Sequence, residues 1–281
     1  MLLPAGLVLL VVFAVPIVIS TVQSFQRSGT PFGEVDFVGL SHYRQLFAEA
    51  AFWRAALVSL IFTGACVLLT YVIGLTLALL VHRRAPGARS AQLLAVVPWA
   101  MPYVAAAIIW ASIFDYQYGP LNYLLKSAGL IDENAGWLTS PTLALVSVVV
   151  VQVWKMFPLA SVMLLAGMQA IPQEREEAAA VDGARPLQIV RHILLPGIRS
   201  VSTILTLLMT IWVFGRSFTV IYVLTGGGPA GATTTLVLKT YETGFQLFDT
   251  QAASALGTVV LVISALLTAL YWVLGLRRTE D

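Results

Sequence analysis

Two charged side chains in this 281-residue sequence stand where charge is expensive. Lys155 lies in the apolar run from Pro141 to Met168 and Arg216 in the run from Ser200 to Leu224, and each is the lone Asp, Glu, Lys or Arg of its run. An ionisable group so placed normally faces protein or water and marks a pathway or a pair. Around them the sequence sets hydrogen-bonding and aromatic groups: Gln152, Trp154 and Phe157 in the first run, and Thr210, Trp212, Ser217, Thr219 and Tyr222 in the second. The chemistry on offer is the exchange of a solute's water hydrogen bonds for protein ones, with no bond made or broken. Other uses of the same residues stay open. Lys155 can reach a polar boundary along its own stem or pair with another subunit. Arg216 can serve a structural salt bridge as well as a pathway, and Trp212 and Tyr222 suit the membrane interface.

A second candidate, Gly226 to Thr233, reads G-x-x-x-x-G-A-T and stops one residue short of a phosphate-binding loop. Ala232 stands where that loop needs a lysine to reach the phosphates, and no apolar strand of a nucleotide-binding domain precedes it. Glycines followed by Pro229 read instead as a tight turn. ATP chemistry is therefore assigned to another subunit.

Positioning these groups is a matter of apolar helices. Of the residues, 58% are hydrophobic and 11% charged, with a mean hydropathy of +0.86. An ordinary soluble domain carries about 25% charged residues, so this chain needs lipid around it. Stretches that can cross a hydrocarbon core about 30 Å thick run from Met1 to Ser20, Ala55 to Val81, Ser90 to Phe114, Pro141 to Met168, Ser200 to Leu224 and Thr250 to Leu276. All six are expected to be helices, because an open strand would leave backbone groups unsatisfied in lipid. The whole chain, 1–281, reads as one transmembrane domain. The first span lacks both the basic region and the cleavage site of a signal peptide. Having no Lys or Arg ahead of it, it is expected to have lost a basic tail or to start late.

A net charge of +2 with scattered basic residues excludes nucleic acid as a partner. The single cysteine, Cys66, allows neither a disulfide framework nor a cysteine-rich metal site and reads as a small buried hydrophobe. Nine basic residues (Arg83, Arg84, Arg89, Arg175, Arg185, Arg191, Arg199, Arg277 and Arg278) fall on one side of the spans and five (Arg27, Arg44, Arg54, Lys126 and Lys239) on the other. The richer side is expected to be cytoplasmic, which places both termini inside and the segments at about 21–54, 115–140 and 225–249 outside.

Eight of the thirty charged residues crowd between Glu174 and Arg199. This segment, Ile171 to Arg199, reads as two short helices. Pro172 suits a helix start, the acidic groups that follow suit its dipole, and Ala178 to Ala180 propagate it to a glycine cap at Gly183. Pro186 opens the second helix, on which Leu187, Val190 and Leu194 share a face, and Pro196 is expected to end it. Periodicity alone is also satisfied by a solvated hairpin that merely links two spans.

The pattern Glu177-Ala178-Ala179, Asp182-Gly183-Ala184 and Ile193-Leu194-Leu195-Pro196 resembles the cytoplasmic coupling loop of permease subunits of binding-protein-dependent ABC importers. The run Tyr222-Val223-Leu224-Thr225-Gly226-Gly227-Gly228-Pro229 with Thr233-Thr234-Thr235 is similar to the external turn of carbohydrate-type, maltose-like permeases. Phe37-Val38-Gly39-Leu40 with Tyr43 and Phe47, and Val153-Trp154-Lys155, agree with it. The large external insertion and cytoplasmic N-terminal tail of the maltose subunit have no counterpart here.

The resemblance implies the type I importer permease fold, an all-α membrane protein of six helices. It implies import of a sugar by a subunit that is not an enzyme, in a bacterial or archaeal plasma membrane. Partners are a second, homologous permease, an ABC ATPase dimer that binds the ATP and magnesium, and an extracytoplasmic solute-binding protein. No cofactor or metal is expected on this chain itself. Glu177, Ala178, Ala179, Asp182, Gly183, Ala184, Leu195 and Pro196 would engage the ATPase. By motif register Gln152, Met156, Leu159, Met209, Val213 and Arg216 would contact the solute, with Lys155, Ser217, Thr219 and Tyr222 along the same pathway. Thr219 stands where these permeases often have an Asp, which leaves Arg216 without its usual local counter-ion. A non-sugar solute such as glycerol phosphate or a polyamine is the alternative cargo.

Overall fold

A computed structural model describes residues 10–28, 35–271 and 273. The expected first nine residues of span one, Arg277, Arg278 and the end of span six lie outside them. Helix α1, Val15–Gln23, follows a π-turn at Leu10–Ala14. Strands β1, Gln26–Ser28, and β2, Val35–Phe37, then pair antiparallel, with Gln26 opposite Phe37. A short helix α2, Ser41–Ala48, leads into α3, Ala50–His82. At 33 residues α3 is about 50 Å long at 1.5 Å per residue, well beyond the hydrocarbon core.

The expected third span is not one helix. It consists of α4, Ala88–Ala100, and α5, Tyr103–Ile113, bent by 105°. The cause is Pro102: a residue before proline is pushed out of the helical region, and Met101 is extended at φ −68°, ψ 139°. Helix α6, Pro120–Ser127, belongs to the loop before α7, Pro141–Gln169. The two helices of the charged segment are α8, Gln173–Val181, and α9, Pro186–Ile189, which runs on through a π-turn at Val190–Leu194. Pro196 does not end that helix. A helical turn, Leu195–Gly197, carries it to Ile198, since proline is tolerated in a first turn. The chain there bends by 68° into α10, Arg199–Arg216. After Ser217 comes α11, Phe218–Leu224, so the fifth span is interrupted as well. The chain closes with α12, Leu236–Tyr241, and α13, Thr250–Tyr271. Among the described residues three helices are thus long and apolar enough to cross a membrane singly, and two bent pairs bring the number to five. The described part of span one, Leu10–Gln23, is a shorter apolar helix.

Helix α7 is the axis of the bundle. Of its most apolar stretch 67% is buried, against 22% for α3 and 17% for α13, whose apolar sides face outward. Helix α3 approaches it through small residues. A Cβ on Gly74 would lie 2.7 Å from Ala160 Cβ and 3.0 Å from the Ser161 nitrogen. Close backbone approach through small residues is the usual way helices associate where lipid removes the hydrophobic drive. Cys66, fully buried on α3, joins this core with Val148, Leu164, Met168 and Leu205.

One end of the bundle carries the α8–α9 hairpin and the other carries the loops before α7 and after α11. The loop before α7 is folded around Asn122, which is 2% exposed. Its amide nitrogen donates to Tyr116 O and Ala135 O, and its Oδ1 accepts from Ala135 N and, at 2.9 Å, from Trp137 Nε1. The loop after α11 is held by Leu236 N donating to Ser59 Oγ at 2.8 Å.

Candidate functional site

The hairpin is built to keep its shape while leaving one helix bare. Helix α8 starts with Glu174 and Glu176 in its first turn and ends at Gly183, whose φ of +82° turns the chain sharply. Gly183 N donates to Ala180 O and Ala184 N to Ala179 O at 2.9 Å, the paired bonds of a Schellman cap. Helix α9 begins with Arg185 N donating to Gln188 Oε1 at 2.6 Å. Two contacts clamp the hairpin to the end of α3: His82 Nε2 lies 2.9 Å from Glu176 Oε1, and the Arg83 guanidinium donates to Pro186 O. No residue of α8 is buried. Glu177 is exposed with Gln173 Nε2 on its carboxylate at 2.8 Å, Ala178 and Asp182 are exposed, and Ala179 and Ala184 are partly covered. Leu195 is half-buried and Pro196 exposed. The expected packed face of α9 is not continuous: Leu194 is buried, but Leu187 is 76% exposed, beside Val181 at 87%. The hairpin therefore ends in two bare aliphatic side chains.

The candidate pathway residues separate into a packed group and a rim. Met156, Met209 and Val213 share the central core, and Leu159 is half-buried. Gln152 is 3% exposed; its nitrogen lies 3.0 Å from Met156 Sδ, and its Oε1 has no partner. Arg216 stands exposed at the α10–α11 junction, and among the described residues no carboxylate lies within 4.0 Å of it. Ser217 is buried in the junction, Thr219 is half-buried, and Tyr222 stacks on Phe218 with ring centroids 5.0 Å apart. Phe218 and Tyr222 continue through Tyr241 to Phe245 as an aromatic cluster. The Tyr241 phenol is held above its ordinary range chiefly by the Tyr222 phenol beside it.

Lys155 is placed differently. It is 2% exposed, and its ammonium donates to Pro98 O at 2.8 Å, to Trp99 O at 3.3 Å and to Met101 O, while lying 4.6 Å from the centre of the Tyr103 ring. Tyr103 opens α5, and α5 packs against α11, the helix that follows Arg216 and Ser217. Sequence reasoning passed over Tyr103 and the prolines of the break, although Pro98 and Pro102, four apart within one apolar run, were the available signal.

In the glycine-rich turn the space a phosphate would need is filled from within. Thr233 Oγ1 lies 2.7 Å from Thr225 Oγ1 and 2.9 Å from Gly228 O, and Thr234 Oγ1 donates to Gly227 O at 3.1 Å.

Residues 70–279 match the binding-protein-dependent transport system inner membrane component family. The trehalose/maltose transport system permease protein MalF of Thermococcus litoralis is 35% identical over 280 residues, covering 100% of this chain and 94% of its own. The sulfoquinovosyl glycerol transport system permease protein SmoG of Agrobacterium fabrum is 31% identical over 285 residues, covering 100% and 90%. Among solved structures, a chain of a bacterial ABC transporter involved in import of the acidic polysaccharide alginate superposes with a TM-score of 0.85 at 23% identity, over 99% of this chain and 94% of that one.

Proposed function

Since this chain belongs to the binding-protein-dependent transport system inner membrane component family and has the fold of ABC importer permeases, we propose that it is the permease subunit that carries a sugar through one half of a translocation pathway. The other half comes from a second, related permease. An ATPase dimer, which binds the ATP and magnesium, supplies the energy, and an external binding protein delivers the solute. The chain crosses a bacterial or archaeal plasma membrane several times, with the α8–α9 hairpin and both termini on the cytoplasmic side, in line with the basic residues clustered there.

The observation that carries this reading is the hairpin: clamped to α3 yet bare along α8, with Val181 and Leu187 exposed at its tip. Such a surface suits a cleft on the ATPase. Closure of the ATPase dimer would move α8 as a rigid piece, because the cap at Gly183 fixes its angle to α9. Helix α9 passes the movement through the 68° bend into α10. That helix ends at Arg216 and Ser217, the depth of the candidate pathway, so a push on the hairpin tilts the residues facing the solute. Glu177, Ala178, Ala179, Asp182, Gly183, Ala184, Leu195 and Pro196 form the coupling element. Gln152, Met156, Leu159, Met209, Val213, Arg216, Ser217, Thr219 and Tyr222 line the pathway, with Lys155 in its wall.

The sugar assignment draws on relatives named for trehalose/maltose and sulfoquinovosyl glycerol. Arg216, with no carboxylate within 4.0 Å among the described residues, favours an acidic solute as a second reading. Solute-stimulated ATPase activity of the complete complex, screened against neutral sugars, uronates and phosphodiesters, tests both. Stimulation by a sugar alone supports the first reading, stimulation by a phosphodiester alone overturns it, and a uronate effect lost in Arg216→Gln supports the second.

A further inference from the structure

We infer that the Lys155 ammonium caps the broken third span and acts as a positioning residue of the pathway, holding the turn between α4 and α5 so that α5 keeps its place against α11, the helix that follows Arg216 and Ser217. This goes beyond the permease reading and rests on it only for the transport assay below.

The argument begins with the backbone. In a helix each carbonyl accepts from the N–H four residues on. For Pro98 that residue is Pro102, which has no N–H. The 105° turn ends the ladder at the same place, and Met101, extended, points its carbonyl off the helix. Orphaned carbonyls within a membrane are tolerated only where protein or water satisfies them. The structure gives Pro98 O, Trp99 O and Met101 O the same partner, Lys155 Nζ. An ammonium has three N–H groups and no acceptor, so its donors match these three carbonyls. The cation also sits at the carbonyl end of α4, where the helix dipole favours it, and over the Tyr103 ring. It therefore needs no carboxylate, and among the described residues none lies within 4.0 Å. A buried charge with all its donors spent on backbone has none left for a solute. Because Lys155 is on α7 and Tyr103 is the first residue of α5, the contact ties the axial helix to the piece of broken span that packs against α11, just beyond Arg216.

The test is a double-mutant cycle between Lys155→Met and Pro102→Ala. Alanine at 102 restores the N–H that Pro98 O lacks, so the loss caused by Lys155→Met should shrink in that background. The first readout is the thermal midpoint of the full chain in detergent, where the drop on Lys155→Met is expected to be smaller by several degrees when residue 102 is alanine; equal drops in the two backgrounds overturn the inference. If Lys155→Met does not accumulate, Lys155→Gln, which keeps two donors, replaces it in the cycle. The second readout is uptake by the complete complex. The cap predicts a tenfold or greater fall in maximal rate with KM within about twofold of the wild type, partly recovered by Pro102→Ala. A tenfold rise in KM at an unchanged maximal rate, not recovered by Pro102→Ala, would make Lys155 a solute ligand and overturn it. A wild-type complex that moves no solute would count against the permease reading alone, since the thermal cycle still decides the cap.

Discussion

Gly183 offers a perturbation whose magnitude can be worked from geometry. Its φ is +82°, and a Cβ built on it meets nothing within 4 Å, so a side chain there fits in space and costs only backbone strain. For a residue with a Cβ the left-handed region costs about 1–2 kcal/mol, and more for a β-branched one. Asparagine visits that region at lower cost. Gly183→Val should therefore shift the hairpin away from the observed angle by a factor of about 10 or more in population, at about 1.4 kcal/mol per factor of ten, while Gly183→Asn should shift it far less. No core contact is lost, so both variants should insert, and the thermal midpoint should fall by no more than this strain allows, less for asparagine than for valine. Uptake and solute-stimulated ATPase, measured in proteoliposomes containing the complete complex, should fall at least several-fold for the valine variant and stay near wild type for asparagine. Equal activity of the two variants, whether both normal or both dead, would refute the argument that conformation at this one residue sets the coupling angle.

Three further outcomes follow from packing and charge. Gly74→Ala pushes a methyl to 2.7 Å from Ala160 Cβ and should cost about 1–3 kcal/mol, read as a lower thermal midpoint that Ala160→Gly partly restores. Asn122→Ala strands the Trp137 indole N–H and the Ala135 and Tyr116 groups that Asn122 now serves; a loss of about 2 kcal/mol is expected, with faster proteolysis of the loop before α7. Burial holds the Glu242 carboxyl above its ordinary range, partly offset by Lys239. The folded chain thus binds the proton more tightly than the unfolded one, and this contribution to stability is present at acid pH and lost as pH rises through the folded value. Glu242→Gln should flatten the fall of thermal midpoint with pH across that range, and an unchanged slope would count against it.

How much of this was legible in the sequence depended on whether the signal was periodic or positional. Helix α7 is legible to within one residue of its end, because a long apolar run broken only by Lys155, with a proline at its first turn, leaves little freedom. The Gly183 turn was read from its glycine alone, since few residues accept a positive φ. The break at Met101 and Pro102 is invisible to hydropathy: both pieces are apolar, and only the backbone donor count reveals that Pro98 O has no backbone N–H to accept from. The exposure of Leu187 was missed for the opposite reason. Its spacing from Val190 and Leu194 fits a buried face, but none of the described residues covers Leu187, which is left bare on the hairpin. For Lys155 and Arg216 the sequence marked depth but not direction. One points at carbonyls of its own chain, whereas the other stands at the rim with no carboxylate within 4.0 Å among the described residues.

The central claim, that the α8–α9 hairpin is the surface the ATPase grips, is tested most directly by a photo-reactive phenylalanine placed at Leu187 in the full transporter complex. Leu187 is exposed and makes no core contact, so the replacement should leave the fold intact. Irradiation should give a covalent adduct with the ATPase subunit, whose yield changes on adding ATP, while the same probe at Tyr118, which is 88% exposed at the opposite end of the bundle, should give none. An active complex with no ATPase adduct from position 187, or with one from position 118, would contradict the account.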